Sequence, residues 1–347
     1  MHEQTGRSAG NGSLMRTGPV ALAHVGDPQA VADAARAVSS LTHHDPRAGE
    51  ACVLWCLAID LAVGTGRMDV RVGLPHVDAT YWAPLLDEAD KNAPSHYRSS
   101  NGWVVAALLA AWSSLSRTQN LRDALVAAVE GGGDTDTVAA ITGALAGAVY
   151  GGSTVPFAWR RVLHGWPGLR ARDLVRMAYL SAHDGQPSRQ GWPTGKRLAA
   201  YAGARTGTIP HPDDPGVLLG AVGALQPGVA DAVVSLCRLG STQAPPAGVA
   251  PQDHLEVWLV DEEDANNDLP FVLQDAADAV RQLRSEGKTV LLHCVHAHTR
   301  TPVVAALYGA LITGDPVRAS LGRVLSVLPS ANPRPSIAAV LQDLEPR

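Results

Sequence analysis

The chain has 347 residues, enough for about two domains of ordinary size. Lys and Arg number 28 against 33 Asp and Glu, so the formal net charge is −5. This balance provides no basic surface for nucleic acid or for an anionic membrane. The apolar run over residues 104–112 is shorter than the ~20 residues that span a bilayer. Four cysteines without disulfide or zinc-ribbon spacing favour a reducing compartment. We therefore expect a cytoplasmic protein with no nucleic-acid partner and no membrane partner.

The first half of the chain predicts α-helices. Segments rich in turn residues separate these helices, and no convincing strand alternation occurs between them. We therefore predict an all-α domain over residues 1–182. Apolar residues recur at helical spacing over 28–41, 47–63, 103–115, 121–129 and 134–150.

The composition changes after residue 185. Segments rich in Pro, Gly and Asp predict a linker over 183–207. Beyond it, strands alternating with helices predict an α/β domain over 208–347 with a mainly parallel sheet. The predicted strands cover 217–219, 232–236, 257–260 and 290–292, and the predicted helices cover 271–287, 301–312 and 316–328.

One stretch of the second half, TVLLHCVHAHTRTPVVAAL (289–307), places a thiol and a guanidinium at a strand-to-helix junction. A buried run ends in His293 and Cys294, and Arg300 opens the next helix. Loop amides and the helix N-terminus would surround an anion at this point and would stabilise a thiolate. The planar fork of an arginine can hold two phosphate oxygens at once. The spacing therefore predicts nucleophilic attack on a bound phosphoryl group.

This stretch resembles the Cys-x5-Arg signature of the dual-specificity and tyrosine phosphatases, whose loop reads His-Cys-x-x-Gly-x-x-Arg-Ser/Thr. The resemblance covers about residues 208–330. It implies that Cys294 is the nucleophile and that Arg300 clamps the phosphate. It also implies that Thr301 hydrogen-bonds the sulfur and that His293 orients the loop and favours the thiolate. This reaction requires no metal or other cofactor.

One loop position departs from the pattern of that family. The family's glycine falls on Ala297 in this chain. If the position needs a positive φ, alanine costs about 1–2 kcal/mol relative to glycine.

The same reaction needs an acid that protonates the leaving group. The family keeps an aspartate for this purpose on a loop that follows a strand and precedes the cysteine. Asp261 is the first acid after the run 257–260, so the resemblance implies Asp261 as the acid and Asp264 as the alternative. The simpler reading of this acidic stretch is a solvated loop.

Two other readings of the cysteine loop remain open. Alternation of Cys294, His296 and His298 would let an extended segment hold a metal ion. Alternatively, Cys294 is only a core thiol, which leaves Arg300 unexplained. In the phosphatase reading, His296 and His298 point outward along the rim and contact the substrate.

A second motif, GGGDTDTVAAITGALAGAVYG (131–151), opens a helix with paired carboxylates. Acids at this position are favourable to the helix dipole, and a plain N-cap would need only one of them. Two carboxylates and a hydroxyl within one turn also provide hard oxygen ligands for Mg²⁺. We therefore predict Asp134, Asp136 and Thr137 as metal ligands.

This motif resembles the ADP-ribosylglycohydrolase family, which are all-α enzymes with a dinuclear magnesium centre. Asn11 in GNGSLMR, His43 in LTHHDPRA, and the stretch NGWVVAALLAAW precede the carboxylates in the family's order. The resemblance extends from residue 10 to about residue 165 and implies that Asn11, Ser13 and His43 line an ADP-ribose pocket. The family's upstream Thr/Ser-Asp-Asp triplet and Glu have no counterpart before Asn11. We therefore expect a truncated or degenerate domain that holds Mg²⁺ weakly.

Three hypotheses for function follow. The favoured one is a cysteine-dependent protein phosphatase that hydrolyses phosphotyrosine- or phosphoserine-type monoesters through a phosphocysteine. The second is a Mg²⁺-dependent ADP-ribosyl hydrolase. The third is a non-catalytic module that binds phosphorylated or ADP-ribosylated partners. The expected partners are a phosphorylated protein, a small phosphoester or an ADP-ribosylated protein.

Overall fold

The structure is a computed structural model that describes residues 9–198, 201, 203–262, 265–342 and 344. It separates into two compact units. The first contains the described residues up to 155 together with 177–185, and the second contains 156–176 and the described residues from 186 onward. The predicted domain limits, 1–182 and 208–347 with a linker between them, stay a prediction.

The first unit is a bundle of α-helices, as the sequence predicts. Its predicted helices all form and differ by at most two residues at either end. The helices are α1 (Leu14–Thr17), α2 (Pro19–Leu22), α3 (Pro28–Ser40), α4 (Pro46–Thr65), α5 (Ala79–Ala89), α6 (Val104–Ser116), α7 (Leu121–Glu130) and α8 (Thr135–Tyr150), with 3-10 turns at 70–76, 94–97 and 152–154.

Side-chain caps set the starts of the long helices. The Asp27 carboxylate accepts a hydrogen bond from the Ala30 amide, and the Asp45 carboxylate accepts one from the Arg47 amide. In each case a proline follows the cap, where its missing N–H costs nothing. Capping therefore explains why α3 and α4 begin where they do.

Two helices form the centre of the bundle. Both α4 and α6 are apolar around most of their circumference, and nearly every residue of α6 is buried. The Trp55 indole of α4 donates to the main-chain carbonyl of Ile141 in α8, at 2.9 Å. By length and composition α4 would also pass as a membrane span, but most of its apolar window is buried inside this unit. A core helix meets the same criterion, so the expected absence of a membrane partner stays a prediction.

The second unit is α/β and carries the mainly parallel sheet that the sequence predicts. The sheet order is β3-β4-β7-β5-β6; β3 runs antiparallel to β4, and the other pairs are parallel. The strands are β1 (His164–Gly165), β2 (Leu169–Arg170), β3 (Thr208–His211), β4 (Asp214–Ala221), β5 (Ala232–Ser235), β6 (His254–Glu256) and β7 (Val290–Cys294); β1 and β2 form a separate hairpin. Its helices are α9 (Phe157–Val162), α11 (Leu269–Ser285), α12 (Arg300–Thr313), α13 (Val317–Val327) and α14 (Pro335–Ala339), and α10 (Ala171–Ser181) lies across the division between the units.

One predicted strand is wrong. The run 257–260 is not a strand, and the edge strand β6 lies just before it. At the end of this run, the backbone of Val260 pairs with the side chain of Asn266 in place of a neighbouring strand. The Asn266 amide accepts from the Val260 N–H at 2.8 Å and donates to the Val260 carbonyl at 2.8 Å. The backbone groups of Val260 are thus satisfied without a neighbouring strand.

Most of the segment predicted as a linker is part of the second unit, to which the described residues from 186 onward belong. Trp192 and Leu198 are each only 2% exposed. The Tyr201 hydroxyl donates to the Arg238 carbonyl at 2.7 Å. The described residues of this segment form no α-helix and no strand, so no periodicity in the sequence reveals this packing.

Candidate functional site

The Cys294 loop lies where a central strand ends. Cys294 is the last residue of β7, which has β4 on one side and β5 on the other. Five residues of loop follow, and α12 begins at Arg300, as predicted. The helix packs on β7, β4 and α11. The carboxyl ends of parallel strands are where α/β folds place their ligands, so this geometry favours a binding site here.

The Arg300 side chain is buried, at 8% exposure, and is anchored through one nitrogen. Its Nη1 donates to the main-chain carbonyls of Leu236 at 3.2 Å and Leu259 at 2.8 Å. Its Nε is buried without a hydrogen-bond partner. A buried guanidinium nitrogen without a partner carries a desolvation cost, which an anionic acceptor would offset.

An acidic side chain lies beside this guanidinium. Asp261 Oδ2 is 3.8 Å from Arg300 Nη2, and Asp261 Oδ1 accepts from Arg334 Nε at 3.0 Å. Asp261, the acid that the resemblance implies, therefore lies beside Arg300 in the structure. The alternative, Asp264, lies outside the described residues. Arg334 had no signal in the sequence, because it follows the last predicted helix in a Pro-rich segment.

His293 and Thr301, the two polar residues with predicted roles beside Cys294, differ in the contacts that they make. The His293 Nδ1 lies 3.3 Å from the Cys294 carbonyl oxygen, in keeping with the predicted orienting role. The predicted hydrogen bond from Thr301 to the sulfur is not formed. The Thr301 hydroxyl is buried and has no partner in the described part of the chain. Thr301 is completely buried in the first turn of α12.

The loop histidines point outward, as predicted. His296 and His298 are exposed, with ring centroids 5.7 Å apart, whereas Cys294 is 1% exposed. Within the residues that the structure describes, no three His, Cys, Asp or Glu side chains are grouped so as to hold a metal. The alternative metal site formed by Cys294, His296 and His298 is therefore wrong, because the loop turns the thiol inward and the imidazoles outward.

Ala297, at the position where the resembled family has glycine, has an unusual backbone conformation. Ala297 has φ of 59°, in the left-handed region. An L-residue with a Cβ pays about 1–2 kcal/mol in that region. The position that is glycine in the resembled family therefore does need glycine's conformational freedom here.

In the helical unit, two distant motifs meet. The Asn11 side chain donates to Asp134 Oδ2 at 2.7 Å and to the Asn101 carbonyl at 2.8 Å. The Asn101 side chain in turn accepts from the Asp134 N–H at 2.9 Å and donates to the Gly132 carbonyl at 2.8 Å. The glycine loop, the start of the NGWVV stretch and the carboxylate turn are thus tied together. Asn101 was missed as a contact residue, although the stretch that contains it was recognised.

The glycines on either side of this network have a steric role. Gly133 has φ of +77°, and a Cβ there would collide with the Arg98 carbonyl and the Asn101 amide. The His43 ring covers Gly12, where an added Cβ would lie 3.4 Å from its Cε1. His43 therefore lies against the glycine loop, and its place in an ADP-ribose pocket stays a prediction. Burial and the nearby Arg16 charge lower the pKa of His43.

The other predicted residues of this region occupy different environments. Ser13 is buried, and its hydroxyl lies 3.7 Å from the Cys52 sulfur, so it is enclosed in the core. Thr137 is buried with its hydroxyl 3.7 Å from the Met15 sulfur, and Asp136 is exposed. Ser13 therefore supports the glycine loop from within.

The carboxylate turn by itself does not make a complete magnesium site. One Asp134 oxygen is occupied by Asn11, and the described residues place no third acidic or imidazole ligand beside Asp134 and Asp136. Mg²⁺ requires near-octahedral oxygen coordination, which this turn cannot supply alone. Asp134, Asp136 and Thr137 stay predicted ligands, and no reaction step is derived through a metal.

The Asn11–Asp134 contact predicts a pH-dependent stability. The Asn11 hydrogen bond is the main cause that lowers the pKa of Asp134. A carboxyl with a lowered pKa stabilises the fold above its unfolded pKa, and this stabilisation disappears as pH falls through the folded pKa. In a double-mutant cycle of Asn11→Ala and Asp134→Ala, we expect a coupling of about 2 kcal/mol at pH 7 that declines below about pH 4. Chemical denaturation measures it, and a coupling that does not change with pH contradicts this account.

Relief of backbone strain predicts that Ala297→Gly stabilises the protein. We expect the free energy of unfolding to rise by about 1 kcal/mol, because glycine occupies the left-handed region without a Cβ clash. Ala305→Gly, in the interior of α12, is the matched control and should destabilise by about 1 kcal/mol or more. A loss of stability in Ala297→Gly would show that the loop carries no such strain.

Comparison with known proteins matches the first part of the chain to one family. The family model for ADP-ribosylglycohydrolase matches residues 1–189, more than half of the chain. ADP-ribosylarginine hydrolase Tri1 of Pseudomonas putida (strain GB-1) is 32% identical over 154 residues, which cover 44% of this chain and 41% of that protein. ADP-ribosyl-[dinitrogen reductase] glycohydrolase of Rhodospirillum rubrum is 29% identical over 166 residues, which cover 46% of this chain and 54% of that protein. The chain thus spans about half the length of these curated relatives.

Solved structures are also similar to parts of the chain. Human DUSP28 is 22% identical with a TM-score of 0.33 and covers 40% of this chain and 95% of that one. A structure described as an ADP-ribosylglycohydrolase-related protein complex is 26% identical with a TM-score of 0.42 and covers 53% of this chain and 66% of that one. The match of the family model over residues 1–189 decides the assignment: this chain belongs to the ADP-ribosylglycohydrolase family.

Proposed function

We propose that the second unit is a cysteine-dependent phosphatase acting on phosphate monoesters. The observation that carries this proposal is the Arg300 guanidinium. It is held on two carbonyls through Nη1, and its Nε is buried without a partner at the start of the helix that follows the Cys294 loop. A phosphoryl group has oxygens that fit such a planar fork. The amides of the loop and of the α12 N-terminus add positive partial charge at the same place.

The chemistry uses this chain's own side chains. The Cys294 thiolate attacks phosphorus, so an S–P bond forms and the P–O bond to the leaving group breaks. Asp261, beside Arg300, donates a proton to the departing oxygen. Water then attacks the phosphocysteine and releases phosphate, and the thiolate leaves. Arg300 stabilises the charge on the equatorial oxygens in both steps.

The partners of this unit follow from the same chemistry. We propose phosphorylated proteins or small phosphoesters as substrates, because the anchored guanidinium and the loop amides recognise the phosphate itself. The exposed His296 and His298 would contact the rest of the substrate.

Removal of the nucleophile predicts loss of this activity. Cys294→Ser should reduce hydrolysis of 4-nitrophenyl phosphate to background, since a serine hydroxyl lacks the nucleophilicity of a thiolate. The matched control is Cys237→Ser. Cys237 is also buried, and burial raises the pKa of its thiol, so it should remain protonated. Parental turnover in a folded Cys294→Ser variant would overturn the phosphatase assignment.

A second function rests on the helical unit. We infer that it binds ADP-ribosyl groups, because the chain belongs to the ADP-ribosylglycohydrolase family and the Asn11–Asp134 hydrogen bond joins two of the family's landmarks. Two of the curated relatives carry the name ADP-ribosylarginine hydrolase, so ADP-ribosylarginine is the substrate to test for turnover. A unit that binds without turnover is the non-catalytic alternative.

The affinity for ADP-ribose separates these readings from a purely structural domain. By isothermal titration calorimetry with Mg²⁺ present, we expect ADP-ribose to bind and Asp134→Ala to weaken binding about tenfold or more, the loss of one charge-assisted hydrogen bond. Asp123→Ala, an exposed acid in the first turn of α7, should leave binding unchanged. Equal affinity in the parent and in Asp134→Ala, or no binding by the parent, would contradict this proposal.

A further inference from the structure

The main chain leaves the sheet shortly before Asp261. Strand β6 ends at Glu256, and the Val257 N–H still donates to the Ser235 carbonyl of β5 at 2.8 Å. Among the described residues, no further main-chain hydrogen bond joins the stretch 258–261 to a neighbouring strand. Because the sheet does not fix this stretch, side chains have to determine where Asp261 lies.

Two side chains from other elements hold the residues just before Asp261. The Leu259 carbonyl accepts from Arg300 Nη1 at 2.8 Å. The Val260 N–H donates to the side-chain oxygen of Asn266 at 2.8 Å, and the Val260 carbonyl accepts from the side-chain nitrogen of Asn266 at 2.8 Å. Asn266 therefore binds both main-chain groups of the residue that directly precedes the acid.

The position of Asn266 makes this contact a firm one. It lies just before the start of α11, and α11 packs on the central strands β5 and β7. A side-chain amide has one acceptor and one donor group side by side, so both bonds to Val260 form together. Two simultaneous bonds restrict the orientation of Val260 as well as its distance, and they tie it to the helix start.

The two carboxylate oxygens of Asp261 have different surroundings. Oδ1 accepts from Arg334 Nε at 3.0 Å. Oδ2 lies 3.8 Å from Arg300 Nη2, which is beyond hydrogen-bond distance. Oδ2 is thus the oxygen nearer the guanidinium that would hold the phosphate, and it is the one that would donate the proton. Proton transfer requires hydrogen-bond reach, so a small shift of the Asp261 main chain would remove it.

We propose that Asn266 is a positioning residue that keeps the Asp261 carboxyl beside Arg300 by fixing the Val260 main chain. This inference rests on the proposed phosphatase function, in which Asp261 is the acid. Cys294 and Arg300 belong to β7 and α12, so loss of Asn266 should impair the acid and spare the nucleophile and the phosphate clamp.

The dependence of kcat/KM on the leaving group tests this proposal in the full chain. Phenoxide is a poor leaving group that needs a proton from the acid, whereas 2,4-dinitrophenoxide departs without one. Asn266→Ala should lower kcat/KM about tenfold for phenyl phosphate and less than about twofold for 2,4-dinitrophenyl phosphate. A purely structural effect, such as a smaller folded fraction, would lower both values by the same factor.

A double-mutant cycle shows whether the effect passes through Asp261. Asp261→Asn should lower kcat/KM for phenyl phosphate about a hundredfold. Adding Asn266→Ala should cause no further loss, because no acid remains to be positioned. The matched control is Asn120→Ala in the helical unit. The Asn120 side chain also accepts from a main-chain N–H and donates to an oxygen, both of Asp123, and its loss should leave the dependence on the leaving group at the parental value.

The outcomes separate this role from the phosphatase function. Equal losses for the two esters, no loss for either, or a further loss when Asn266→Ala is added to Asp261→Asn would overturn the positioning role in an active phosphatase. A parent that hydrolyses neither ester would overturn both. If Asn266→Ala does not fold, Asn266→Asp takes its place. It keeps the acceptor for the Val260 N–H and loses the donor, so it should lower kcat/KM for phenyl phosphate alone, about threefold; parental values for both esters would refute the proposal.

Discussion

Arg300 Nη1 donates to the carbonyls of Leu236 and Leu259, which lie just beyond β5 and β6. This pair of hydrogen bonds ties the start of α12 to the ends of two parallel strands, so the Cys294 loop between β7 and α12 is held at both ends. It also leaves the Nε of the same guanidinium buried without a partner. In the proposed phosphatase chemistry, an oxyanion bound at the loop would offset the cost of that donor, so anion binding is the physical basis of the proposal.

The helical unit is organised in a comparable way around one side-chain contact. Asn11 and Asp134 lie far apart in sequence, and their 2.7 Å hydrogen bond joins the glycine loop to the carboxylate turn, with Asn101 bridging the two. In this unit Asn11, Asn101 and Asp134 satisfy one another, whereas Arg300 Nε has no partner in the described structure. That contrast favours the second unit as the site of chemistry and is consistent with recognition of a ligand by the first.

The sequence predicts periodic elements and short motifs well, because both depend on local spacing. The five predicted helices of the first unit, the strand that ends in Cys294 and the helix that begins at Arg300 follow from such spacing, whereas α1, α2 and α5 were not predicted. Contacts that depend on tertiary structure were missed. The Asn266 side chain that replaces a strand partner at 257–260 and the Arg334 contact to Asp261 have no periodic signal. The Thr301 prediction was wrong because a family role was carried over without the geometry that it needs.

The most direct test of the central claim is to trap the covalent intermediate. The parent protein is mixed with a ³²P-labelled aryl phosphate, quenched in acid within one turnover, digested and analysed by mass spectrometry. If the anchored guanidinium serves the neighbouring thiolate, phosphorus will be found on the sulfur of Cys294, and Arg300→Ala will abolish the labelling. Hydrolysis that leaves no label on Cys294, or labelling that persists in Arg300→Ala, would contradict the account.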